Sequence, residues 1–469
     1  MATANISKSF TTFLAQLPAS ISADTRVLTD EGSPEFQALM QRWSDIDLQT
    51  PTAIVLAATE NDVALTVKQA VELNIPFVAK SGGHSLWSTI GKGGFILDLS
   101  LLKHISVDTE KKCVTVGSGV LVKELNDITF QHGLCLPLGN GNTIGVVPQA
   151  LGGGISALSR LCGHTSDSIL SARVVTADGS LITVSKSSNA ELLWALQGAG
   201  QFFGIVTELT LQAYPLSVLG TSDGTVYTGS IVFPPQRVEE VLQAVNTLIA
   251  DDSAPASGLF LIAAPPPAFA TCIIIIPVYF GSADAAEKYY QPLFALSPMM
   301  TDCKSIPFAR LNDSMEAFCS KGGFKRFAGA GMQKFEPSVW PKVIDLFEEL
   351  KRKCPDAGAT GYAFEWNVFT PEKKISPVDS AFSHHDIKVW AELVSWYTNP
   401  ESHAEVYRIE QEVLALMRQS QTKENEAAFQ NWTRDEPLER RYRGSERLEK
   451  LKMLKKKWDP KGIFTSQLL

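Results

Sequence analysis

The sequence predicts an α+β protein built from two domains, and three observations lead to this class. The 469 residues exceed what one hydrophobic core usually supports. Near residue 52 the chain begins a β-α-β pattern, and after Pro215 strands and helices mix without strict alternation, which is typical of an antiparallel sheet. Apolar residues make up 45% of the chain, which is enough for a large core in each domain.

The first half alternates strands, helices and glycine-rich loops. Residues 52–57 and 76–79 form predicted strands on either side of an amphipathic helix that starts at Asn61. Asp178-Gly179 lies between two runs of β-branched residues and predicts a two-residue hairpin turn. A strand over residues 205–213 closes this half of the chain.

The second half carries longer elements. Predicted strands cover residues 224–233, 258–263 and 273–280, and predicted helices cover residues 237–250, 285–294, 337–352 and 403–418. An amphipathic helix closes the chain and ends at Trp458-Asp-Pro460.

Charge and cysteine usage exclude several classes of protein. The net charge of -8 disfavours a nucleic acid or an anionic membrane as a partner. The seven cysteines are odd in number and widely spaced, so neither a zinc site nor a disulfide framework is predicted. No leader segment is visible at the N-terminus, and the most apolar run is too short to span a membrane as a helix. We therefore expect a cytoplasmic protein with no metal, no nucleic-acid partner and no membrane partner.

Glycine clusters and one histidine are the candidates for chemistry. Five clusters lie between Gly82 and Gly200, and glycine lets backbone N–H groups approach a phosphate. The Gly198-Ala-Gly200 cluster precedes a strand instead of opening a helix, which is the wrong context for a Rossmann loop. His84 follows a predicted strand in a loop of small residues, and the loop alone fits either a hydrogen-bonded surface histidine or a functional one.

A resemblance to a known family decides between these alternatives. The run Pro76-Phe-Val-Ala-Lys-Ser-Gly-Gly-His-Ser85 resembles the flavin-attachment loop of the vanillyl-alcohol-oxidase superfamily, and is most similar to its berberine-bridge-enzyme-like branch. Further similar segments follow in order at residues 116–120, 143–145, 152–154, 168–179, 194–207, 442–448 and 458–464. The resemblance covers nearly the whole chain.

The resemblance implies a specific architecture. It implies a two-part PCMH-type FAD-binding domain over residues 47–216 and an α+β substrate domain over residues 217–430, in which helices cover an antiparallel sheet. The N-terminal segment, residues 1–46, would pack on the FAD domain, and residues 431–469 would return to it.

The resemblance also implies the cofactor and its contacts. The loop histidine of the family bonds to the 8α carbon of the flavin, so His84 is expected to hold FAD covalently. The other implied cofactor-binding residues are Lys80, Ser81, Gly82, Gly83, Ser85, Gly117, Gly141, Asn142, Thr143, Gly145, Gly152, Gly153, Gly154, Gly204, Ile205 and Val206. Many members carry a second, cysteinyl link, but Gly141 holds that position, so one covalent bond is expected. Ile144 matches the branch's oxygen-gating position or is a plain packing residue.

The catalytic base is less defined. The family often places a glutamate after a tryptophan on a substrate-domain strand, and Tyr397 follows Trp396 at that place. A tyrosine could accept a proton only if a cation such as Lys388 or Arg441 lowered its pKa. Glu392 is a second candidate on the same strand, on the opposite face. Tyr442, in the closing segment, is a third.

These residues imply an FAD-dependent oxidoreductase that takes a hydride from an alcohol, amine or secondary-metabolite substrate to flavin N5. Oxygen or another acceptor would reoxidise the flavin. Two alternatives remain open at this level. One is a flavin-dependent cyclase or isomerase without net redox chemistry, and the other is a non-catalytic flavin-binding protein.

Overall fold

Three large sheets and one two-stranded sheet, formed by residues 134–135 and 214–215, organise the described residues. The computed structural model describes residues 8–251, 253–366, 380–419, 421–433 and 435–469. The strands in chain order are β1 (Arg26–Leu28), β2 (Ala53–Leu56), β3 (Phe77–Lys80), β4 (Phe95–Asp98), β5 (Ile105–Asp108), β6 (Cys113–Gly117), β7 (Leu134–Cys135), β8 (Ile169–Val175), β9 (Leu181–Ser185), β10 (Ile205–Gln212), β11 (Tyr214–Pro215), β12 (Thr225–Phe233), β13 (Ala256–Ala263), β14 (Cys272–Tyr279), β15 (Met300–Pro307), β16 (Phe324–Met332), β17 (Gly361–Trp366) and β18 (Val389–Tyr397).

Helices connect and cover these strands. In chain order they are α1 (Lys8–Gln16), α2 (Pro34–Met40), α3 (Glu60–Glu72), α4 (Val122–Gln131), α5 (Val146–Leu151), α6 (Ser159–Cys162), α7 (Ala190–Ala199), α8 (Val238–Ala250), α9 (Ala283–Tyr289), α10 (Gln291–Phe294), α11 (Trp340–Lys353), α12 (His403–Arg418), α13 (Leu438–Arg441) and α14 (Ser445–Trp458).

The first sheet has the order β1-β2-β4-β3 and confirms the β-α-β prediction. Strands β2, β4 and β3 are parallel, and β1 adds an antiparallel edge. Helix α3 makes the crossover, and Thr59 and Asp62 form a capping box at its start. Because β3 and β4 are parallel, their carboxyl ends meet at one edge, where the loop after Lys80 begins.

The second sheet is antiparallel, with the order β5-β6-β10-β8-β9. The predicted hairpin is confirmed, because β8 and β9 pair directly, but its turn has three residues, 177–179, instead of the predicted two, and Gly179 ends it with a φ of 79°. Helix α14 buries Leu448, Leu451 and Leu454 in the core of this sheet, so the chain's end returns to this half of the molecule. The two sheets together form the two-part FAD-binding fold that the resemblance implies.

The third sheet has seven antiparallel strands in the order β15-β12-β14-β13-β17-β18-β16. Helices α8, α11 and α12 pack on one face through a large apolar core, which confirms the α+β prediction. The opposite face meets the FAD-binding half. Because side chains alternate along each strand, every second residue points to the face that meets the FAD-binding half, and only those residues can line a site there.

Two features of this half differ from prediction. Strands β15, β16 and β17 escaped prediction. In β16, Gly329 and Gly331 weaken the alternating apolar pattern, although both let neighbouring groups approach closely. The predicted helix over residues 285–294 is broken after α9 at Tyr290, because Pro292 lacks the N–H that a continuous helix needs.

The seven cysteines are all free thiols, as the spacing predicts. Among the described residues, no helix is both long enough and apolar enough to cross a membrane.

Candidate functional site

The loop that carries His84 starts on a buried ion pair. The Nζ of Lys80 lies 2.8 Å from the Oδ2 of Asp98, and both side chains are almost fully buried. The two residues are opposite each other at the ends of β3 and β4. The Lys80 side chain therefore supports the start of the loop through this ion pair.

Small residues bring this loop into backbone contact with residues 141–145. A Cβ atom on Gly82 would lie 2.7 Å from the Gly145 nitrogen and 2.8 Å from the Thr143 carbonyl oxygen, which excludes any side chain. Gly83 has a φ of 76°, which favours glycine. The Ser81 hydroxyl donates to the carbonyl oxygen of Ser118. Glycines at these positions let the two loops meet around the histidine.

His84 is held as a neutral imidazole by its surroundings. Its Nε2 lies 2.7 Å from the Oγ1 of Thr143. Burial, helped by the positive charges of Lys325 and Lys321, lowers the pKa of His84 to about 4. The described residues place no hydrogen-bond partner at Nδ1. If Nε2 carries the proton that it shares with Thr143, then Nδ1 carries the free lone pair at neutral pH.

The N-terminal segment clamps the histidine loop, which sequence analysis missed. The buried guanidinium of Arg42 donates to the carbonyl oxygens of Leu86 and Ile46, both at 2.9 Å. The backbone N–H of Trp43 donates to Gly83, and the Trp43 ring stacks at 6.0 Å from the imidazole. No motif marks these residues, although a tryptophan in an otherwise polar stretch was a usable signal.

The residues around His84 fit FAD. Ser118 and Asn142 each hold a buried side-chain oxygen without a hydrogen-bond partner among the described residues. Both lie on loops that contact the histidine loop, through Ser81 and through Thr143. Unpaired buried oxygens are costly, and a polar ligand between the loops would satisfy them. A neutral histidine, a glycine-lined approach and these oxygens match the chemistry of a flavin dinucleotide.

Several other predicted cofactor residues pack against the protein itself. Gly152, Gly153 and Gly154 face the side chains of Asn431, Phe382 and Thr165. Gly117 and Gly204 lie at close contacts with neighbouring strands and loops, and Ile205 and Val206 are buried. Close packing thus forms this part of the molecule, and the roles of these residues in cofactor binding stay predictions. Ser85 belongs to the loop, where its hydroxyl accepts from the backbone of Trp87.

Gly141 leaves space that two other side chains approach. A Cβ atom on Gly141 would lie 2.6 Å from the Cδ1 of Ile144 and 3.5 Å from the Sγ of Cys319. Ile144 therefore fills the volume that a side chain at position 141 would need. Cys319 is a buried thiol from the other half of the chain, and sequence analysis assigned it no place at the site.

A carboxyl pair lies on the sheet face that meets the FAD-binding half. Glu365 of β17 and Glu392 of β18 are hydrogen bonded to each other. Burial, the negative charge of Glu365 and that hydrogen bond together raise the pKa of Glu392 well above its usual range. The Nδ2 of Asn140 donates to the Oε2 of Glu365 at 2.8 Å. The loop over residues 139–145 thus touches both the carboxyl pair and, through Thr143, the histidine.

A small cavity opens beside this pair. Its lining includes Asn140, Ser257, Leu259, Met315 and Glu365, and most of the lining is apolar. The hydroxyl of Ser257 is buried and has no hydrogen-bond partner among the described residues. The cavity, with a volume of about 40 Å³, therefore offers an apolar wall with a few polar groups beside Glu365.

Tyr397, the preferred base in the sequence analysis, faces away from this cavity, which weakens that prediction. It is fully buried on the helix-covered face, where its hydroxyl lies 2.6 Å from the Nδ1 of His403. Burial raises its pKa to about 12, and the nearby cation is Arg326, not Lys388 or Arg441. An odd number of steps separates it from Glu392 on one regular strand, so alternation puts the two on opposite faces.

Tyr442 is also remote from the carboxyl pair. Its hydroxyl accepts a hydrogen bond from the Nε2 of Gln201 at 2.8 Å, and its ring packs 5.7 Å from that of Phe202. Both contacts lie in the core of the second sheet. Of the three predicted bases, only Glu392 lies on the sheet face that meets the loop over residues 139–145. That loop also contacts His84.

Comparison with known proteins points to the same cofactor. The family model described as FAD binding domain matches residues 51–185. The FAD-linked oxidoreductase hasG of Aspergillus fumigatus is 28% identical over 454 residues, which cover 92% of this chain and 94% of that protein. BBE-like 1 of Physcomitrella patens has a TM-score of 0.83 at 20% identity, over 97% of both chains.

A second solved structure adds a detail of cofactor attachment. The glucooligosaccharide oxidase of Acremonium strictum has a TM-score of 0.80 at 20% identity, over 97% of this chain and 98% of that chain. Its structure was described for a 6-S-cysteinyl, 8α-N1-histidyl FAD. Likeness at this level of identity shows a shared fold.

Proposed function

We propose that the chain, which is similar to berberine-bridge-enzyme-like, FAD-linked oxidoreductases with a PCMH-type FAD domain, oxidises a small, mainly apolar alcohol. Amines and other secondary metabolites form the wider substrate class. When bound, FAD supplies the hydride acceptor at N5, and oxygen or another acceptor takes the electrons afterwards. The observation that carries the proposal is the carboxyl pair, because an alcohol must lose a proton as its hydride leaves.

His84 is the proposed point of covalent attachment, through Nδ1. Three features support this choice: the lowered pKa, the engagement of Nε2 by Thr143, and the glycines that bring the loops together. A neutral imidazole with a free lone pair is a nucleophile at neutral pH. Gly141 offers no thiol, so one covalent bond is proposed, with Ile144 filling the space where a cysteine would stand.

Glu392 is the proposed proton acceptor. Its raised pKa makes its ionised form a stronger base than an ordinary carboxylate. Glu365 is a positioning residue, because it holds Glu392 by a hydrogen bond and is itself held by Asn140. The cavity beside the pair supports an apolar substrate, and the unpaired hydroxyl of Ser257 supports one further polar group on that substrate.

Anaerobic mixing with candidate substrates tests the reaction. The purified holoenzyme is mixed with apolar primary and secondary alcohols, matched amines and sugars, and the visible absorbance of the flavin is followed. Bleaching by alcohols is the expected result. Product formation without bleaching would replace the proposal with a cyclase or isomerase, and neither bleaching nor product would leave a flavin-binding protein.

Acid precipitation tests the attachment. We expect yellow, fluorescent precipitate from the wild type and from His104→Ala, whose histidine is exposed and pairs with Glu208. We expect a colourless precipitate from His84→Ala. Flavin that stays with precipitated His84→Ala would overturn the single link, and Cys319 would then be the first residue to examine by peptide mass spectrometry.

A further inference from the structure

We propose that His164, Asp167 and His385 form a binding site for one divalent transition-metal ion that ties the two halves of the chain together. One ligand atom from each residue can be chosen so that all lie within 4.8 Å of one another. All three side chains are buried, with exposed fractions between 2% and 6%. The site is separate from the flavin loop, and sequence analysis predicted no metal because it considered only cysteine spacing.

The spacing of the ligand atoms suits a tetrahedral ion. The Nε2 of His385 lies 3.2 Å from the Oδ2 of Asp167, and the Nδ1 of His164 lies 3.7 Å from the same oxygen. Metal–ligand bonds of about 2.0–2.1 Å at a tetrahedral angle put neighbouring ligand atoms roughly 3.3 Å apart. The observed separations bracket that value, so small side-chain movements would complete the site. Two nitrogens and one carboxylate oxygen suit Zn²⁺, with one position left for water.

An unsatisfied nitrogen gives independent support. The Nδ1 of His164 is buried and has no hydrogen-bond partner among the described residues, although it points at the Asp167 carboxylate across 3.7 Å. That gap is too long for a hydrogen bond but is right for two ligands of one ion. A buried imidazole nitrogen left without a partner is costly, and a cation between the two groups would satisfy both.

The local structure orients the ligands. His164 and Asp167 belong to a tight turn, and the backbone N–H of His164 donates to the Oδ2 of Asp167 at 2.8 Å. Phe382 packs against both imidazoles, at 4.5 Å from the ring of His164 and 5.1 Å from that of His385. This aromatic cover keeps bulk water from the cluster.

The position of the cluster indicates a structural role. His164 and Asp167 come from the FAD-binding half, whereas His385 comes from the segment that leads into β18 of the substrate sheet. The turn with His164 also hydrogen bonds to the glycine stretch, through Ser166 to Gly153. An ion here would therefore hold the strand of Glu392 in place against the FAD-binding half.

Zinc binding by the full-length holoprotein tests the proposal. After dialysis against a chelator, Zn²⁺ is added back, and metal content, binding heat and thermal melting are measured. We expect one equivalent of Zn²⁺ per chain and a melting temperature that rises with added Zn²⁺. Wild-type protein that takes up no Zn²⁺ and shows no shift in melting would overturn the proposal and leave an ordinary hydrogen-bonded cluster.

Two variants separate ligation from hydrogen bonding. His385→Gln keeps an N–H donor for Asp167 but loses the imidazole ligand, so we expect Zn²⁺ affinity to fall by more than about tenfold and the Zn²⁺-dependent shift to vanish. His104→Ala, remote from the cluster, should bind Zn²⁺ like the wild type. Equal binding by His385→Gln and the wild type would show that Zn²⁺ binds elsewhere and would also overturn the assignment.

Discussion

The two faces of the seven-stranded sheet each hold a glutamate with a raised pKa, and the two differ in their partners. On the helix-covered face, Glu410 is fully buried and lies 3.2 Å from the Nε of Arg326. On the opposite face, Glu392 is hydrogen bonded to a second carboxyl, that of Glu365. Burial raises the pKa of both groups, but Arg326 opposes the rise at Glu410 and Glu365 adds to it at Glu392.

The partner of a buried acid therefore says more about its role than burial does. An opposite charge makes a static pair that holds an element in place, as Arg326 holds α12 on the sheet. Two carboxyls in contact disfavour ionisation, which costs stability and gives a proton acceptor tuned toward neutral pH. Such an arrangement beside a cavity is a mark of a functional site.

Glu392→Gln should have the greatest effect on the reaction. The amide keeps the size and hydrogen-bonding capacity of the side chain but cannot accept a proton. We expect the rate of anaerobic flavin reduction to fall by about 10²–10⁴-fold, while the covalent flavin content stays unchanged. An unchanged reduction rate would remove Glu392 from the mechanism.

The same variant should gain stability at higher pH. In the folded wild type the raised pKa keeps a proton on Glu392 that the unfolded chain releases, so stability falls as pH rises above the usual glutamate pKa. Gln carries no such penalty. Thermal melting against pH should therefore show a higher melting temperature for Glu392→Gln on the alkaline side.

Glu410→Gln is the matched substitution on the other face, and it should lower stability without changing the flavin reduction rate. It leaves Arg326 without its counter-charge, so we expect a loss of about 2–3 kcal/mol in the free energy of unfolding. The expected loss is smaller than the loss on breaking a fully buried ion pair, because the Arg326 side chain is 16% exposed and also contacts the ring of Tyr407. Denaturant unfolding measures the loss, and the reduction rate of the folded enzyme should match the wild type.

Sequence patterns predicted the elements that depend on interactions between residues close together in the chain. The β-α-β start, the Asp178-Gly179 hairpin and the loop around His84 each depend on a few consecutive residues, so they could be predicted. Residues whose roles depend on distant contacts could not. Arg42 became a clamp only when the N-terminal segment folded onto the histidine loop, and Glu365 became the partner of Glu392 only through strand pairing.

The orientation of Tyr397 could not be predicted for a more specific physical reason. Alternation along β18 correctly separates Tyr397 from Glu392, but it does not say which face meets the FAD-binding half. The packing of α8, α11 and α12 determines which face meets the FAD-binding half, because their apolar side chains cover the face that carries Tyr397. The position of a residue after a tryptophan was therefore weaker evidence than the packing of helices elsewhere in the chain.

Glu365→Gln should change the pH dependence of the reaction more than its maximal rate. Because Glu392 must be ionised to accept a proton, the flavin reduction rate should rise with pH through its raised pKa. The substitution removes the negative neighbour, so the rise in reduction rate should move to lower pH. Flavin reduction at a fixed acidic pH should then be up to about tenfold faster. Stopped-flow measurement of the flavin reduction rate across pH gives the pH at which the rate rises in each protein. The same pH in both proteins would show that Glu365 does not raise the pKa of Glu392.

Tyr397→Phe should change the protein least. Its hydroxyl lies 2.6 Å from the Nδ1 of His403 on the helix-covered face, so its removal should cost about 1 kcal/mol of unfolding free energy. The flavin reduction rate and its pH dependence should match the wild type, because a phenol on this face cannot reach a substrate beside Glu365. Tyr442→Phe, which removes the hydroxyl that contacts Gln201, serves as the companion variant. A tenfold or greater loss of reduction rate in Tyr397→Phe would mean that this tyrosine reaches the reacting atoms after all. The two faces would then have to be assigned the other way round.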